Sequence, residues 1–251
     1  MKKVSLILTT FNSGNNLEKT LESIEKQDYP NLEIIIKDGK SKDNTIDIIK
    51  RYEKYSKNQV LWQSKKDSGI YDAMNQGYKM CSGDIVAFFN DVFTNQHVIS
   101  KLVDKIEEIN PNTGKEYIGV HADLIYVEEK KVIRKWHMGE GSIYKGWMPG
   151  HPTLFLKREI YEKYGLYNTG YKIAADYEFM IRFLKNAENQ LNYLPEIIIE
   201  MFYGGTSSKG IRSYLISLME GHRALKVNGI KGAFFIDIRR TIKVLIQFIS
   251  G

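Results

Sequence analysis

The chain has 251 residues, of which 43% are hydrophobic and 26% charged, a balance that suits one globular core with room for an appendage and excludes a disordered chain. A formal net charge of +6 admits three partner classes: nucleic acid, an anionic membrane and phosphate-bearing small molecules. The lysines are scattered among glutamates without a nucleic-acid-binding motif, so no nucleic-acid partner is expected.

Val4 to Leu8 is a β-branched-rich apolar run that ends in Thr9-Thr10-Phe11-Asn12, which predicts a buried strand and its exit loop. After only Met1-Lys-Lys, it is too short for a signal peptide. Leu17, Leu21 and Ile24 recur at helical spacing. Leu32 to Ile36 is the second strand, ending at Asp38-Gly39, and Ser41 or Asp43 caps a helix whose apolar side is Ile46, Ile49 and Tyr52. Val60 to Trp62 is a short third strand. Ile70, Ala73, Met74, Gly77 and Cys81 make the next helical stripe, and Ile85 to Phe89 the fourth strand. Cys81, the only cysteine, cannot form an internal disulfide; it reads as a buried structural thiol in a reducing compartment.

Strands alternating with helices predict βαβ units and a parallel sheet covered on both faces. Ligands then bind beyond the carboxyl ends of the strands. Four polar loops belong at that end: Thr9 to Asn12, Asp38 to Lys42, Asp67 to Asp72, and Asn90-Asp91. After the turn-rich Asn110-Pro-Asn-Thr-Gly114 the pattern becomes mixed. Tyr117 to Val127 and Val132 to Trp136 read as strands, Trp147 to His151 as a loop before the apolar run Thr153 to Leu156, Asp176 to Leu184 as a helix, and Ile197 to Tyr203 as a last strand. The expected organisation is a domain over residues 1–209, split into a ligand-binding half (1–110) and an acceptor-side half (111–209), followed by a helical extension over 210–251. Within that extension Phe234, Ile238, Ile242, Leu245 and Ile249 share one helical face, beside Lys231, Arg239, Arg240 and Lys243. Two readings stay open for it: an amphipathic helix on an anionic bilayer, or a helix docked on the core.

The loop acids suit a reaction on a nucleotide sugar. Asp38 can accept from a nucleobase imide or a ribose hydroxyl. Asp91 can hold Mn2+ or Mg2+, since such ions bind through few carboxylates plus substrate phosphates. Asp176 at a helix start can serve as base. Each also has a plainer reading: Asp-Gly is a common turn, Asp176, Asp67 and Asp72 can be caps, and His151 a packed histidine. Their convergence on one crevice favours chemistry.

Several segments resemble family 2 glycosyltransferases of the GT-A fold, over roughly residues 1–205. They are Ser5-Leu-Ile-Leu-Thr-Thr-Phe-Asn12, Ile35 to Thr45 around Asp38-Gly39, and the Gly-Ile-Tyr-Asp-Ala-Met-Asn run within Asp67 to Gly77, seen in transferases that build bacterial surface polysaccharides. His151-Pro-Thr-Leu-Phe155, Ala175-Asp176-Tyr-Glu178 and Gly204 to Ser208 resemble later acceptor-side motifs. Phe89-Asn90-Asp91-Val92-Phe93 keeps one carboxylate where the family has an Asp-x-Asp or Asn-x-Asp-Asp run. The resemblance implies an α/β fold with a nucleotide-sugar-binding mixed sheet and an inverting transferase. It implies that Asp176 is the catalytic base and Asp91 the metal ligand. Thr9, Phe11, Asn12, Asp38, Asp67, Asp72, Asn90 and Asp91 would meet the donor, and Trp147 and His151 lie on the acceptor side. The implied partners are a nucleotide sugar, UDP-linked, and a glycan or polyprenyl-diphosphate-linked acceptor. The expected location is the cytoplasm, peripheral to the inner face of the plasma membrane. A non-catalytic sugar-nucleotide or glycan-binding protein on the same scaffold is the alternative.

Overall fold

A computed structural model describes residues 1–128, 131–187, 190–202 and 210–249, with backbone alone at 210–211 and 243–249. The Gly204-to-Ser208 motif, Tyr203, and the side chains of Leu245 and Ile249 lie outside the described residues.

Four parallel strands form one end of the sheet: β1 (Val4–Thr10), β2 (Leu32–Asp38), β3 (Gln59–Ser64) and β4 (Ile85–Phe88), in the order β3-β2-β1-β4. Their crossovers are α1 (Leu17–Glu25), α2 (Thr45–Tyr55) and α3 (Ile70–Tyr78). β1 and β2 are apolar on both faces because both are covered: Leu6, Leu8, Ile34 and Ile36 enter one core layer, Ile7 and Ile35 the other. The first layer includes α1, α2 and α4 (Val98–Glu107). The second includes α3, α5 (Arg158–Tyr164) and α6 (Ala175–Leu184). Gly77 permits the approach of α3 to the sheet, since a Cβ there would lie 2.5 Å from Ile7 Cγ2.

The sheet then becomes mixed. β8 (Phe155–Lys157) runs antiparallel to β4, and β6 (Gly119–Glu128) antiparallel to β8. β9 (Leu191–Phe202) lies parallel to β6, β5 (Val92–Phe93) pairs with β9, and β7 (Lys131–Trp136) makes a hairpin with β6. β9 begins before the expected Ile197. Pro195 lacks an amide for the ladder, and register jumps there: Ala122 faces Leu194 while Asp123 faces Ile197. Helices α4 and α5 add to the expected elements, while α7 (Gly210–Val227) lies within the stretch expected to be helical.

α7 and α8 (Ala233–Ile249) pack side by side: His222 Nδ1 lies 2.7 Å from Asp237 Oδ2, and the Arg240 guanidinium abuts Gly221. Ile230, Ala233 and Ile236 are buried in the second core layer, and Arg240 sits 4.4 Å over the Tyr177 ring of α6. Among the described residues no helix is long and apolar enough to cross a membrane.

Candidate active site

Strand order reverses between β1 and β4, where an open sheet forms a ligand crevice. Asn90 clasps the two strand ends: its Oδ1 accepts from Thr9 N at 3.1 Å and its Nδ2 donates to Thr9 Oγ1 at 3.2 Å. The β1 and β2 exit loops are laced together. Ser41 Oγ accepts from Asn12 N, and Asn12 Oδ1 from Lys42 N. Asn12 (φ 49°) and Lys40 (φ 69°) both hold left-handed backbone here, a strained conformation of the kind that clusters at functional sites.

Asp38 is fully buried and accepts five hydrogen bonds, from Thr10 Oγ1, Ser41 Oγ, Ser64 Oγ and the amides of Lys40 and Ser41. Burial opposes its ionisation, but the Ser41 and Ser64 bonds outweigh it and hold the pKa below the usual carboxylate value. In this structure Asp38 knots three strand ends. Contact with a nucleoside would have to displace one of these donors.

Asp67 lies close above Gly39, where a Cβ would come 2.8 Å from Asp67 Oδ2 and 3.3 Å from the Phe11 ring. Phe11 itself is exposed at the crevice rim. Beneath them is Lys37, a fully buried ammonium. Its Nζ donates to the carbonyls of Asp38 (2.8 Å) and Lys65 (2.5 Å) and lies 3.8 Å from Asp67 Oδ2. Asp72, in the first turn of α3, ties the preceding loop to the helix, its Oδ2 accepting from Ser68 N, Ser68 Oγ and Gln76 Nε2.

The Tyr-Asp-Ala-Met-Asn run of α3 acts as a staple to the second half of the chain. Asn75 exchanges two hydrogen bonds with the Tyr167 backbone, at 2.8 and 3.0 Å. The Tyr71 hydroxyl faces two acceptors, the Ile173 carbonyl at 2.5 Å and Asp176 Oδ1 at 2.9 Å. Its one hydrogen serves one of them at a time. Burial, then the Asp176 charge, pushes the Tyr71 pKa far up, so the phenol stays neutral.

Asp176 occupies the first turn of α6 and is half-buried. The strand of chain leading into α6 is held from α7: Glu220 Oε1 accepts from Lys172 N (2.8 Å), and Oε2 from Ile173 N (2.9 Å) and Ala174 N (3.0 Å). Glu178, the other acid of the turn, is buried and bound to Arg182 and Asn228, so it is spent on structure. His151 Nε2 lies 2.7 Å from Tyr167 Oη, and its ring stacks on Phe88 at the end of β4. Burial pushes the His151 pKa down, opposed by the nearby Asp176 carboxylate. These contacts bring Asp176, His151, Tyr71 and the ends of β1 to β4 into one neighbourhood.

Asp91 is buried just past β4, and burial pushes its pKa up to about 7, countered only by a hydrogen bond from the Phe202 amide. Among the described residues no group of three or more His, Cys, Asp or Glu could form a protein-only metal cage. A desolvated carboxylate with one protein donor does fit a divalent ion that takes its remaining ligands from substrate oxygens.

Trp147 is engaged with other partners. Its Nε1 donates to the Met138 and Gly139 carbonyls, and its ring lines a cavity of about 30 Å³ with His121 and Leu184. Leu184 is eight residues after Asp176, roughly 12 Å along α6. A larger concavity of about 810 Å³, lined by Lys115, Lys157 and Gln190, is at the opposite end of β9 from Asp91. Tyr71, Lys37 and Glu220 are absent from the sequence-derived site. Tyr71 sits inside the quoted motif, but Lys37 and Glu220 give no local signal because the Lys65 carbonyl and Asp67 beside the first, and the amides of 172–174 bound to the second, are remote in sequence.

The model of one sequence family, glycosyl transferase family 2, matches residues 5–165. The chain belongs to that family. This glycosyltransferase is 30% identical over 186 residues to an uncharacterized glycosyltransferase of Mycobacterium tuberculosis, covering 71% of this chain and 68% of that one. It is 28% identical over 233 residues to a Methanococcus voltae dolichyl N-acetyl-alpha-D-glucosaminyl phosphate 3-beta-D-2,3-diacetamido-2,3-dideoxy-beta-D-glucuronosyltransferase, covering 86% of this chain and 72% of that one. Among solved structures, the S. aureus TarS fragment in complex with UDP-GlcNAc superposes with a TM-score of 0.72 at 19% identity. That match covers 91% of this glycosyltransferase and 66% of the fragment. A Pyrobaculum calidifontis mannosyltransferase in complex with GDP-Man and Mn2+ gives 0.65 at 16% identity, over 100% of this chain and 76% of its own. The fold of this glycosyltransferase is GT-A.

Proposed function

We propose that the enzyme transfers a sugar, with inversion, from a UDP-sugar to a hydroxyl of a glycan or polyprenyl-diphosphate-linked acceptor in surface-polysaccharide synthesis, at the cytoplasmic face of the membrane. The observation that carries the reading is the Tyr71–Asp176 contact, which sets a helix-leading carboxylate against the acid-lined loop at the carboxyl ends of the strands. The solved neighbours in complex with UDP-GlcNAc and GDP-Man support a nucleotide sugar as donor.

In this reading Asp176 takes the proton of the acceptor hydroxyl as that oxygen bonds to the anomeric carbon from the face opposite the leaving group. The bond from the anomeric carbon to the diphosphate breaks, and its electron pair leaves with the nucleoside diphosphate. Tyr71, when its hydrogen is on the Ile173 carbonyl, offers Asp176 an oxygen lone pair that can accept from the newly protonated acid. Asp91 would hold Mn2+ or Mg2+, which supplies charge neutralisation at the departing diphosphate. Thr9, Phe11, Asn12, Asn90 and Asp67 line the donor crevice over a frame fixed by Asp38, Lys37 and Asp72. His151 faces the acceptor side of Asp176.

The test is release of nucleoside diphosphate by the purified chain with Mn2+ across a panel of UDP- and GDP-sugars, comparing Asp176→Asn. Turnover with UDP-sugars that falls by at least about 100-fold in the variant is expected. A variant as active as the parent refutes the assignment of the base.

A further inference from the structure

We propose that the outer face of the α7–α8 pair docks on an anionic phospholipid bilayer. α8 turns Phe234 (65% exposed), Phe235 (66%), Ile238 and Ile242 outward, and α7 turns Leu215 and Met219 (73%) outward. At 100° per residue Phe234, Ile238 and Ile242 fall within about 80° of one another on α8. The contacts of His222 with Asp237 and of Gly221 with Arg240 make the helices antiparallel and set Met219 level with Ile242. Two helices thus present one apolar surface, larger than a single amphipathic helix would give.

Charge supplies the identity of the occupant. Residues 210–251 contain seven basic and two acidic residues, a net of +5 out of the chain's +6. Both acids are turned inward: Glu220 accepts from three backbone amides, and Asp237 is bound to His222 and Arg240. Arg212, Arg223, Lys226, Lys231 and Arg239 are exposed. The outer surface therefore combines apolar side chains with cations and carries no carboxylate among the described residues, the composition that seats a helix in a negatively charged headgroup layer. A second copy of the chain is the less suitable occupant, since a two-fold contact would set these cations against each other. The inward side of the same helix holds the chain entering α6, so the docked surface lies one hydrogen-bonded layer from Asp176.

The experiment is co-sedimentation of the full chain with vesicles of equal parts phosphatidylglycerol and phosphatidylcholine, against vesicles of phosphatidylcholine alone. Binding to the anionic vesicles that weakens with salt is expected. Lys231→Gln with Arg239→Gln should lower the partition coefficient by about 25-fold, about fivefold per cation. Phe234→Ser with Phe235→Ser should remove binding while leaving the melting temperature and the turnover of a soluble acceptor unchanged, because both rings are exposed. The proposal is overturned if the parent chain stays in the supernatant, if both variants bind as the parent does, or if sedimentation velocity shows a dimer that only the phenylalanine variant dissolves. None of these outcomes depends on the assigned reaction.

Discussion

Glu220→Gln probes how far the proposed base, Asp176, depends on a helix beyond the segment matched by the family. One glutamate oxygen accepts from Ile173 N and Ala174 N, and the other from Lys172 N. A glutamine can keep its carbonyl on the first pair, but its amide group then meets the Lys172 amide donor to donor. One charge-assisted bond is lost, about 1.5–3 kcal/mol, and the anion near the α6 N-terminus is lost as well, about 0.3–1 kcal/mol. Lys172 is exposed, so water recovers part of this, and about 2 kcal/mol should remain. For a chain of this length the melting temperature should drop by roughly 4–8 °C. Displacing Asp176 by a fraction of an ångström should lower kcat by about 10–100-fold while the donor KM holds. Calorimetric melting and steady-state release of nucleoside diphosphate measure the two effects. The decisive control is the double variant with Asp176→Asn, in which the kcat penalty of Glu220→Gln should vanish. Loss of stability with an unchanged kcat, or a full kcat penalty persisting in the double variant, would refute the argument.

Tyr71→Phe should reduce kcat by about tenfold or more without altering donor KM, at a stability cost of about 1–2 kcal/mol for the Ile173 carbonyl left without its donor, read by kinetics and melting. Asp91→Asn should weaken Mn2+ binding in the presence of UDP by more than the roughly 10–100-fold that outer-shell changes cost, measured by calorimetry. The same variant should raise the melting temperature of the free enzyme at pH 8, where the parent buries an ionised carboxylate. Glu33 governs the acid limb of stability. Burial opposes its ionisation, but Lys3, Ser5 and Ser82 outweigh it and hold the pKa at about 2. A depressed carboxylate contributes stability that is complete above its unfolded value of 4.5 and is lost as pH falls towards 2, here about 3 kcal/mol. Glu33→Gln should flatten acid unfolding across that window.

The parallel half of the sheet was legible because β1, β2 and β4 are buried on both faces and read as unbroken apolar runs. α4, which was not among the expected elements, has an equally plain apolar side of Val98, Ile99, Leu102, Val103 and Ile106. The first half of β9 was hidden by Pro195 and by polar Asn192, whose place is set by its bonds to α4. Within the site, acids at strand ends could be placed from topology, but not their state of occupancy. Asp38 looks the same in sequence whether its oxygens are open or filled by five donors. The Tyr-Asp-Ala-Met-Asn run was recognisable as a pattern, while its meaning depends on Tyr167, Ile173 and Asp176, about a hundred residues away. The tail's two open readings are not exclusive: among the described residues one side of α8 packs on α6 and α7, and Phe234, Phe235, Ile238 and Ile242 on the other are exposed.

Lys37 sits under the crevice loops like a keystone, joining two carbonyls and approaching a carboxylate without reaching solvent. Because the bracing comes from below, the exposed Phe11 ring at the top of those loops can change identity without loosening the base it stands on. Variation at that outward ring reshapes the mouth of the crevice while the buried cation keeps its floor in place.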